Sequence, residues 1–325
     1  MSASGAVAGR ESSAFKGDFL VLIARVIADK ADLETRLNAL KRAVPSKSFA
    51  TGLVSGPLGI SYRTIRFLPI DEPVLEIDWG DCDAEVVNNI METHFCDCDM
   101  VMSRDGFWVP KLFVSDMDST MIGQECIDEL ADFAGLKEQI SAITERAMQG
   151  ELDFESALLE RVGLLERLDE GAIQRCLDER IEPTPGAKVL VETLKAHGCR
   201  TVLVTGGFHH FADRVAEWLG FERVVGNRLE VADGKLTGRL DGPISDASTK
   251  LAVLEEEAAK IGPRAYPLAS GDGANDIPML KAASYGFAYK AKPKARAEAN
   301  GRLDHHDLTA ILSLLGIARK DWVEG

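Results

Sequence analysis

The chain has 325 residues, 46% of them hydrophobic and 27% charged, with a formal charge of −15. At roughly 100–200 residues per domain this length predicts about two domains, and the apolar share excludes a disordered chain. The negative field repels phosphodiester backbones and anionic bilayers, so no nucleic acid and no membrane is expected as a partner. An anionic substrate would need a local cation cluster or a metal ion to draw it in.

No segment reaches the ~18 apolar residues that cross a bilayer. Residues 1–17 are small and polar and lack the basic start and cleavage site of a signal peptide. They read as a disordered tail. Cys82, Cys96, Cys98, Cys126, Cys176 and Cys199 are scattered along the chain, the usage of a reduced, cytoplasmic protein rather than of a disulfide framework.

In chain order, Phe19–Ile27 predicts a strand, and the spacing of Leu33, Leu37 and Leu40 predicts a helix over Asp32–Val44. Extended segments at Arg63–Leu68 and Val74–Trp79 precede a helix at Ala84–His94. Met100–Met102 and Phe107–Val109 read as extended again. Residues 18–110 therefore form a small α+β domain without a catalytic cluster, expected to be a regulatory or homodimerising module or a structural appendage. His94-Phe95-Cys96-Asp97-Cys98-Asp99 holds soft donors but no second Cys or His pair at zinc spacing.

From Lys111 the texture changes. Leu112–Ser115 is an apolar run that ends in Asp116. Four helical patterns follow, at Glu125–Phe133, Glu138–Met148, Phe154–Leu165 and Glu170–Asp178, until Pro183 and Pro185 stop them. Four helices are too many for one crossover, so residues 123–182 read as a helical cap. Ala187–Ala196 is then helix, Thr201–Val204 a buried strand and His209–Leu219 helix. Arg223–Gly242 contains a Gly-punctuated hairpin around Asp233-Gly234. Ser248–Lys260 is helix, Tyr266–Ala269 strand, Asp276–Ala282 helix and Phe287–Tyr289 the last strand. His305-His306 reads as a surface loop before a helix at Leu308–Leu315. The alternation predicts an α/β fold with a doubly wound parallel sheet over 111–325.

Three polar motifs sit at the ends of apolar strands: Asp116-Met117-Asp118-Ser119-Thr120, Thr205-Gly206-Gly207, and Gly271-Asp272-Gly273-Ala274-Asn275-Asp276. Sites of parallel α/β sheets form at the carboxyl ends of strands, so all three point at one crevice. Asp116 and Asp118 lie on one side of an extended segment. They would repel unless a hard cation such as Mg²⁺ neutralised them, with Asp272 and Asp276 completing its oxygen shell. A carboxylate can attack phosphorus, which makes Asp116 the candidate nucleophile and Asp118 the candidate general acid and base. Glycines and helix-start N–H groups at Thr205-Gly206-Gly207 suit a phosphate. Lys250 would clamp the phosphoryl group.

Together these residues resemble the haloacid dehalogenase superfamily of phosphatases. Its signature, Asp-x-Asp-x-Thr, then Thr or Ser, then Lys, then a late acidic loop, recurs in order over residues 112–290. Within it the chain is similar to the phosphoserine phosphatases. The specific likeness lies in Glu125, in Met148-Gln149-Gly150-Glu151-Leu152-Asp153-Phe154 ahead of Arg161-Val162, and in the loop Gly271–Met279. The resemblance implies hydrolysis of O-phospho-L-serine through an aspartyl-phosphate, the last step of serine biosynthesis. It implies Mg²⁺ held by Asp116, the backbone carbonyl of Asp118 and Asp272, with Asp276 acting through water. Glu125 would pair with the substrate ammonium and Arg161 with its carboxylate. Met148 and Phe154 would form the apolar wall, while Thr205, Gly206, Lys250 and Asn275 surround the phosphate. Two departures stand out: Thr205 replaces the usual Ser, and residues 18–105 give only a loose α+β pattern where some family members carry small-molecule-sensing modules and others an unrelated extension. The competing readings are the same chemistry on another small phosphomonoester or a phosphoprotein, and an amino-acid-sensing binding protein.

Overall fold

The computed structural model describes residues 21–44, 46, 60–104, 106–148 and 151–324, with Met148 described for its backbone alone. The tail 1–17, the first residues of the strand expected from Phe19, and Gln149-Gly150 of the cap lie outside the described residues.

The amino-terminal part runs β1 (Leu22–Ile27), α1 (Lys30–Ala43), β2 (Thr64–Phe67), β3 (Val74–Gly80), α2 (Ala84–Phe95) and β4 (Asp99–Ser103). Leu33, Leu37 and Leu40 are buried along one face of α1, as their spacing predicts. Asp29 and Asp83 begin α1 and α2 by accepting from first-turn N–H groups. The segment 107–109 is not a strand. Phe107 instead stacks on Tyr285, whose hydroxyl oxygen accepts from Trp108 N–H at 2.8 Å.

Next come β5 (Leu112–Ser115) and the four helices α3 (Cys126–Phe133), α4 (Lys137–Met148), α5 (Phe154–Leu164) and α6 (Gly171–Arg180). The chain continues through α7 (Ala187–Ala196), β6 (Arg200–Phe208), α8 (His209–Leu219), β7 (Arg223–Asn227), β8 (Leu229–Ala232), β9 (Lys235–Leu240) and α9 (Ala247–Ile261). It closes with β10 (Leu268–Gly271), α10 (Ile277–Ala282), β11 (Tyr285–Tyr289), α11 (Pro293–Glu298), β12 (Gly301–Leu303) and α12 (Ala310–Leu315).

Thr205-Gly206-Gly207 lies in the last residues of β6, in a register shift between Val204 and Phe208 and just before α8. The hairpin within residues 223–242 is β8–β9, and β7 ahead of it is a parallel edge strand beside β6. Phe287–Tyr289 is not the last strand, because β12 follows. Three residues are too few to display a period, and β12 is recognisable only by its partners.

Ten strands form one sheet in the order β2-β3-β1-β4-β12-β11-β10-β5-β6-β7. The run from β12 to β7 is parallel, and β2-β3-β1-β4 is antiparallel. They join where β12 pairs antiparallel with β4, Gly301 opposite Val101 and Arg302 opposite Met100. The change of texture near Pro110 is thus not a break in the sheet. Buried side chains tie the junction. Arg302 donates to the carbonyls of Cys98, Phe95 and Cys96 at 3.0, 2.7 and 3.2 Å and pairs with Glu92. Arg25 pairs with Glu76 and donates to the Leu314 carbonyl at 2.9 Å. His305-His306 lies in a surface loop, as its sequence predicts, and is tied down there, since Asp99 accepts from both backbone N–H groups and from the His306 ring.

β5 is buried on both faces, as a central parallel strand must be. Leu112 and Val114 pack with Val202, Val204 and Ala269, while Phe113 enters the core that holds Leu203, Leu268 and Phe211. The β8–β9 hairpin is fastened to the helical insertion: Arg167 N–H donates to the Leu236 carbonyl and Leu236 N–H to that of Leu168. No helix among the described residues is long and apolar enough to cross a membrane.

Candidate active site

The strand order explains the convergence. β5 lies between β10 and β6, and all three run parallel, so their carboxyl ends open on one crevice. Asp116 follows β5, Asp272 follows β10, and Thr205-Gly206-Gly207 bulges from β6. These residues line one cavity of about 120 Å³ with Asp118, Glu125, Phe154, Arg161 and Asn275. Ile127, Leu158, Phe208 and Lys292 complete its wall.

Asp116 is buried, and its carboxylate is gripped on one oxygen. Oδ1 accepts from Met117 N–H at 2.8 Å and lies 2.7 Å from Lys250 Nζ. Lys250 stands in the first turn of α9, which Asp246 begins with a capping box. Its ammonium is fully buried and also reaches Asp276 Oδ1 at 2.6 Å. Asp276 Oδ2 accepts from the N–H groups of Asp272 and Gly273 at 3.1 and 2.9 Å. Gly271 is required here, because a Cβ at that position would collide with the Asp276 carboxylate.

The electrostatics follow from this crowding. Burial, reinforced by the charge of Asp276, raises the Asp116 carboxyl well above its ordinary value, with Lys250 pulling the other way. Burial, then Glu125, pushes Asp118 up to about 7. Asp272 rises to about 6, mainly through burial. Burial works against the charge of Lys250, but Asp116 and Asp276 outweigh it and raise its affinity for the proton.

Carboxylate oxygens of Asp116, Asp272 and Asp276 all lie within 4.8 Å of one another. Asp116 and Asp276 share one buried ammonium and Asp272 meets only the exposed one of Lys292 at 3.8 Å, so the three carboxylates carry surplus negative charge. Hard oxygen donors with such a surplus fit a hard divalent cation. Asp276 already has both oxygens bonded, whereas Asp116 is gripped on Oδ1.

The helical insertion supplies the opposite wall. Glu125 precedes α3 and accepts from Ser119 Oγ at 2.8 Å. Asp118 Oδ1 accepts from Cys126 N–H at 3.2 Å, tying the general-acid candidate to the same turn. Arg161, on α5, donates from Nε to the Ala157 carbonyl at 3.2 Å. Burial lowers its proton affinity, while Asp128, Glu125 and Asp118 hold it charged. The Phe154 ring lies over the β6 bulge, where a Cβ on Gly206 would come within 3.2 Å of it. The cavity therefore brings together every expected site residue except Lys250 and Asp276, which stand behind Asp116, and Met148, whose side chain lies outside the described residues.

Sequence reasoning missed Lys292. Its ammonium is 3.8 Å from Asp272 Oδ2, and its N–H donates to the Asp272 carbonyl at 2.9 Å. The available signal was its place in Tyr289-Lys290-Ala291-Lys292-Pro293, just past the end of another parallel strand. Asn227 and Ser245, which bond to the backbone of the β6 bulge, were missed as well.

The family model for haloacid dehalogenase-like hydrolases matches residues 113–281. A phosphoserine phosphatase from Archaeoglobus fulgidus is 45% identical over 245 residues, covering 74% of this chain and 71% of that one. Among solved structures, a HAD family hydrolase from Salmonella enterica serovar Typhi superposes with a TM-score of 0.75 at 27% identity. That match covers 91% of this chain and 98% of the other, so the fold similarity extends beyond the matched family segment. A substrate-bound phosphoserine phosphatase superposes with a TM-score of 0.58 at 38% identity, over 63% of this chain and 97% of that one.

Proposed function

Since the chain belongs to the haloacid dehalogenase-like hydrolase family, we propose that this site hydrolyses O-phospho-L-serine to L-serine and phosphate, the last step of serine biosynthesis. The chain is a phosphomonoester hydrolase. The observation that carries the substrate assignment is that Glu125 and Arg161 share one small cavity with Asp116 and Asp118. Phosphoserine bears an ammonium and a carboxylate beyond its phosphate, and these two cap residues offer the opposite charges. A guanidinium suits a carboxylate through its forked geometry.

The chemistry runs in two displacements. A carboxylate oxygen of Asp116 attacks phosphorus, the bond from phosphorus to the serine oxygen breaks, and Asp118 gives that oxygen its proton. Asp118 then takes a proton from water. The resulting hydroxide attacks the acyl phosphate, releasing phosphate and restoring the Asp116 carboxylate. A carboxyl pushed up to about 7 is suited to both duties. Lys250 holds Asp116 Oδ1 and opposes the charge that builds on the phosphoryl group.

Asp116, Asp272 and the backbone carbonyl of Asp118 would hold Mg²⁺, with Asp276 reached through water because its oxygens are already bonded. Bound there, the ion would supply the positive charge that draws a dianionic phosphate into an acidic protein. Phe154 and Leu158 would close over the substrate and exclude water before attack. The narrow cavity favours a small phosphomonoester over a phosphoprotein.

The test is phosphate release from O-phospho-L-serine with Mg²⁺, comparing wild type with Asp116→Asn. Release that disappears in the variant supports substrate and nucleophile together. Cleavage of an aryl phosphate but not of phosphoserine would keep the chemistry and overturn the assignment of Glu125 and Arg161. No release from either would overturn the reading.

A further inference from the structure

The bulge of β6 that lines the cavity is held from behind by two buried side chains that do not line it. Asn227 ends β7 and is 1% exposed; Ser245 precedes α9 and is 3% exposed. Asn227 Nδ2 donates to the Gly206 carbonyl at 2.7 Å, and its Oδ1 accepts from Ser245 N–H at 2.8 Å. Ser245 Oγ in turn donates to the Thr205 carbonyl at 2.9 Å.

The consequence is geometric. A peptide unit is planar and trans, so fixing a carbonyl fixes the N–H that follows it, pointing the opposite way. Ser245, by holding the Thr205 carbonyl, directs the N–H of Gly206 away from itself. Asn227, by holding the Gly206 carbonyl, directs the N–H of Gly207, which donates to Thr205 Oγ1 at 2.8 Å. With that oxygen already accepting, the Thr205 hydroxyl keeps its proton for another partner. The strands fit closely at Gly226, where a Cβ would come 3.0 Å from Thr205 Cγ2 and 3.2 Å from the Gly207 carbonyl.

We propose that Asn227 and Ser245 are positioning residues that aim the Gly206 N–H and the Thr205 hydroxyl at the transferring phosphoryl group. The proposal rests on the assignment of the β6 bulge as the phosphate site. The two residues also join that bulge to the loop leading into α9, so the donors on β6 and the ammonium of Lys250 are set by one network. Donors fixed in advance stabilise charge that develops in the transition state without reorganising.

The experiment compares Asn227→Asp, Ser245→Ala and Ser245→Thr with wild type in the full chain. Asn227→Asp keeps the size and the acceptor for Ser245 N–H but puts an oxygen against the Gly206 carbonyl. We expect kcat to fall at least tenfold in Asn227→Asp and Ser245→Ala while KM changes less than threefold. Affinity for orthovanadate, measured with Mg²⁺, falls at least tenfold, whereas affinity for L-serine is unchanged. Ser245→Thr, which keeps the hydroxyl, recovers most of kcat. Soluble variants with wild-type kcat and wild-type vanadate affinity would overturn the proposal, as would equal losses for vanadate and L-serine. Should Asn227→Asp fail to fold, the Ser245 pair decides alone. Vanadate binding is read without turnover, so a wild type that binds vanadate but does not cleave phosphoserine would fault the substrate assignment and leave this comparison intact.

Discussion

The ammonium of Lys250 lies 2.7 Å from Oδ1 of Asp116, and both side chains are buried. A lysine so placed can stay charged only because carboxylates surround it, and Asp116 can stay ionised only because the lysine does. The contact therefore carries both the fold of this corner and the state of the proposed nucleophile. The ammoniums of Lys250 and the exposed Lys292 against Asp116, Asp272 and Asp276 leave a negative surplus that a divalent cation would relieve.

Removing the ammonium tests that balance. Lys250→Met leaves Asp116 and Asp276 buried without their cation, a loss of about 3–5 kcal/mol for a broken buried pair. We expect a lower melting temperature, partly restored by Mg²⁺, and loss of phosphoserine hydrolysis even where the protein is folded. Thermal melts with and without Mg²⁺ read the first effect. An unchanged melting temperature would mean that the pair contributes nothing to stability.

Arg161 offers a test of specificity. Phosphoethanolamine carries the phosphate and ammonium of phosphoserine but no carboxylate. If Arg161 receives that carboxylate, Arg161→Met lowers kcat/KM for phosphoserine at least about tenfold, or about 1.4 kcal/mol. The same change costs phosphoethanolamine less than about threefold. Steady-state kinetics on both substrates decide it, and equal losses would make Arg161 a structural residue of α5.

The site was legible in the sequence because its parts sit at strand ends, where an apolar run stops abruptly at a carboxylate or a glycine. Asp116, Thr205 and Asp272 announce themselves in this way. Lys292 does not, because Pro293 and the short strand before it mask the pattern. Asn227 was hidden because no separate strand stands out ahead of the hairpin within residues 223–242. Once β7 is seen to pair with β6, Asn227 falls opposite Phe208, at the end of the bulge that holds Gly206. The joining of the two parts of the chain was illegible for a similar reason. β12 has three residues, and only its pairing with β4 reveals that the sheet continues.

That junction predicts a stability effect remote from the chemistry. Arg302 is 4% exposed and gives hydrogen bonds to three carbonyls at the end of α2 and the start of β4, besides its pair with Glu92. Stripping donors from buried carbonyls costs roughly 1–3 kcal/mol each where no water replaces them. We expect Arg302→Met to lose at least about 2 kcal/mol in urea unfolding. Its kcat per folded molecule should stay at the wild-type value. Wild-type stability would show that β4 and β12 are held by strand pairing alone.

The same junction has a pH dependence whose sign can be worked out. His306 donates to Asp99 at 2.6 Å, and this bond raises the ring's proton affinity. Burial works against the ionised Asp99, but His306 and the N–H groups of residues 304–306 outweigh it and lower the carboxyl. The His306 contribution is complete below the ordinary value of about 6.5 and fades as pH rises through its raised folded value. The Asp99 contribution is complete above about 3.9 and fades as pH falls through its lowered folded value. The pair therefore stabilises most in the window between these limits. Raising pH from 6 to 9 should lower the melting temperature of wild type more than that of His306→Gln. The effect is small, because the His306 side chain is 41% exposed and solvent screens its charge. Parallel melting curves across that range would show that the ring is held as a neutral acceptor-facing donor, with no charge at stake in the contact.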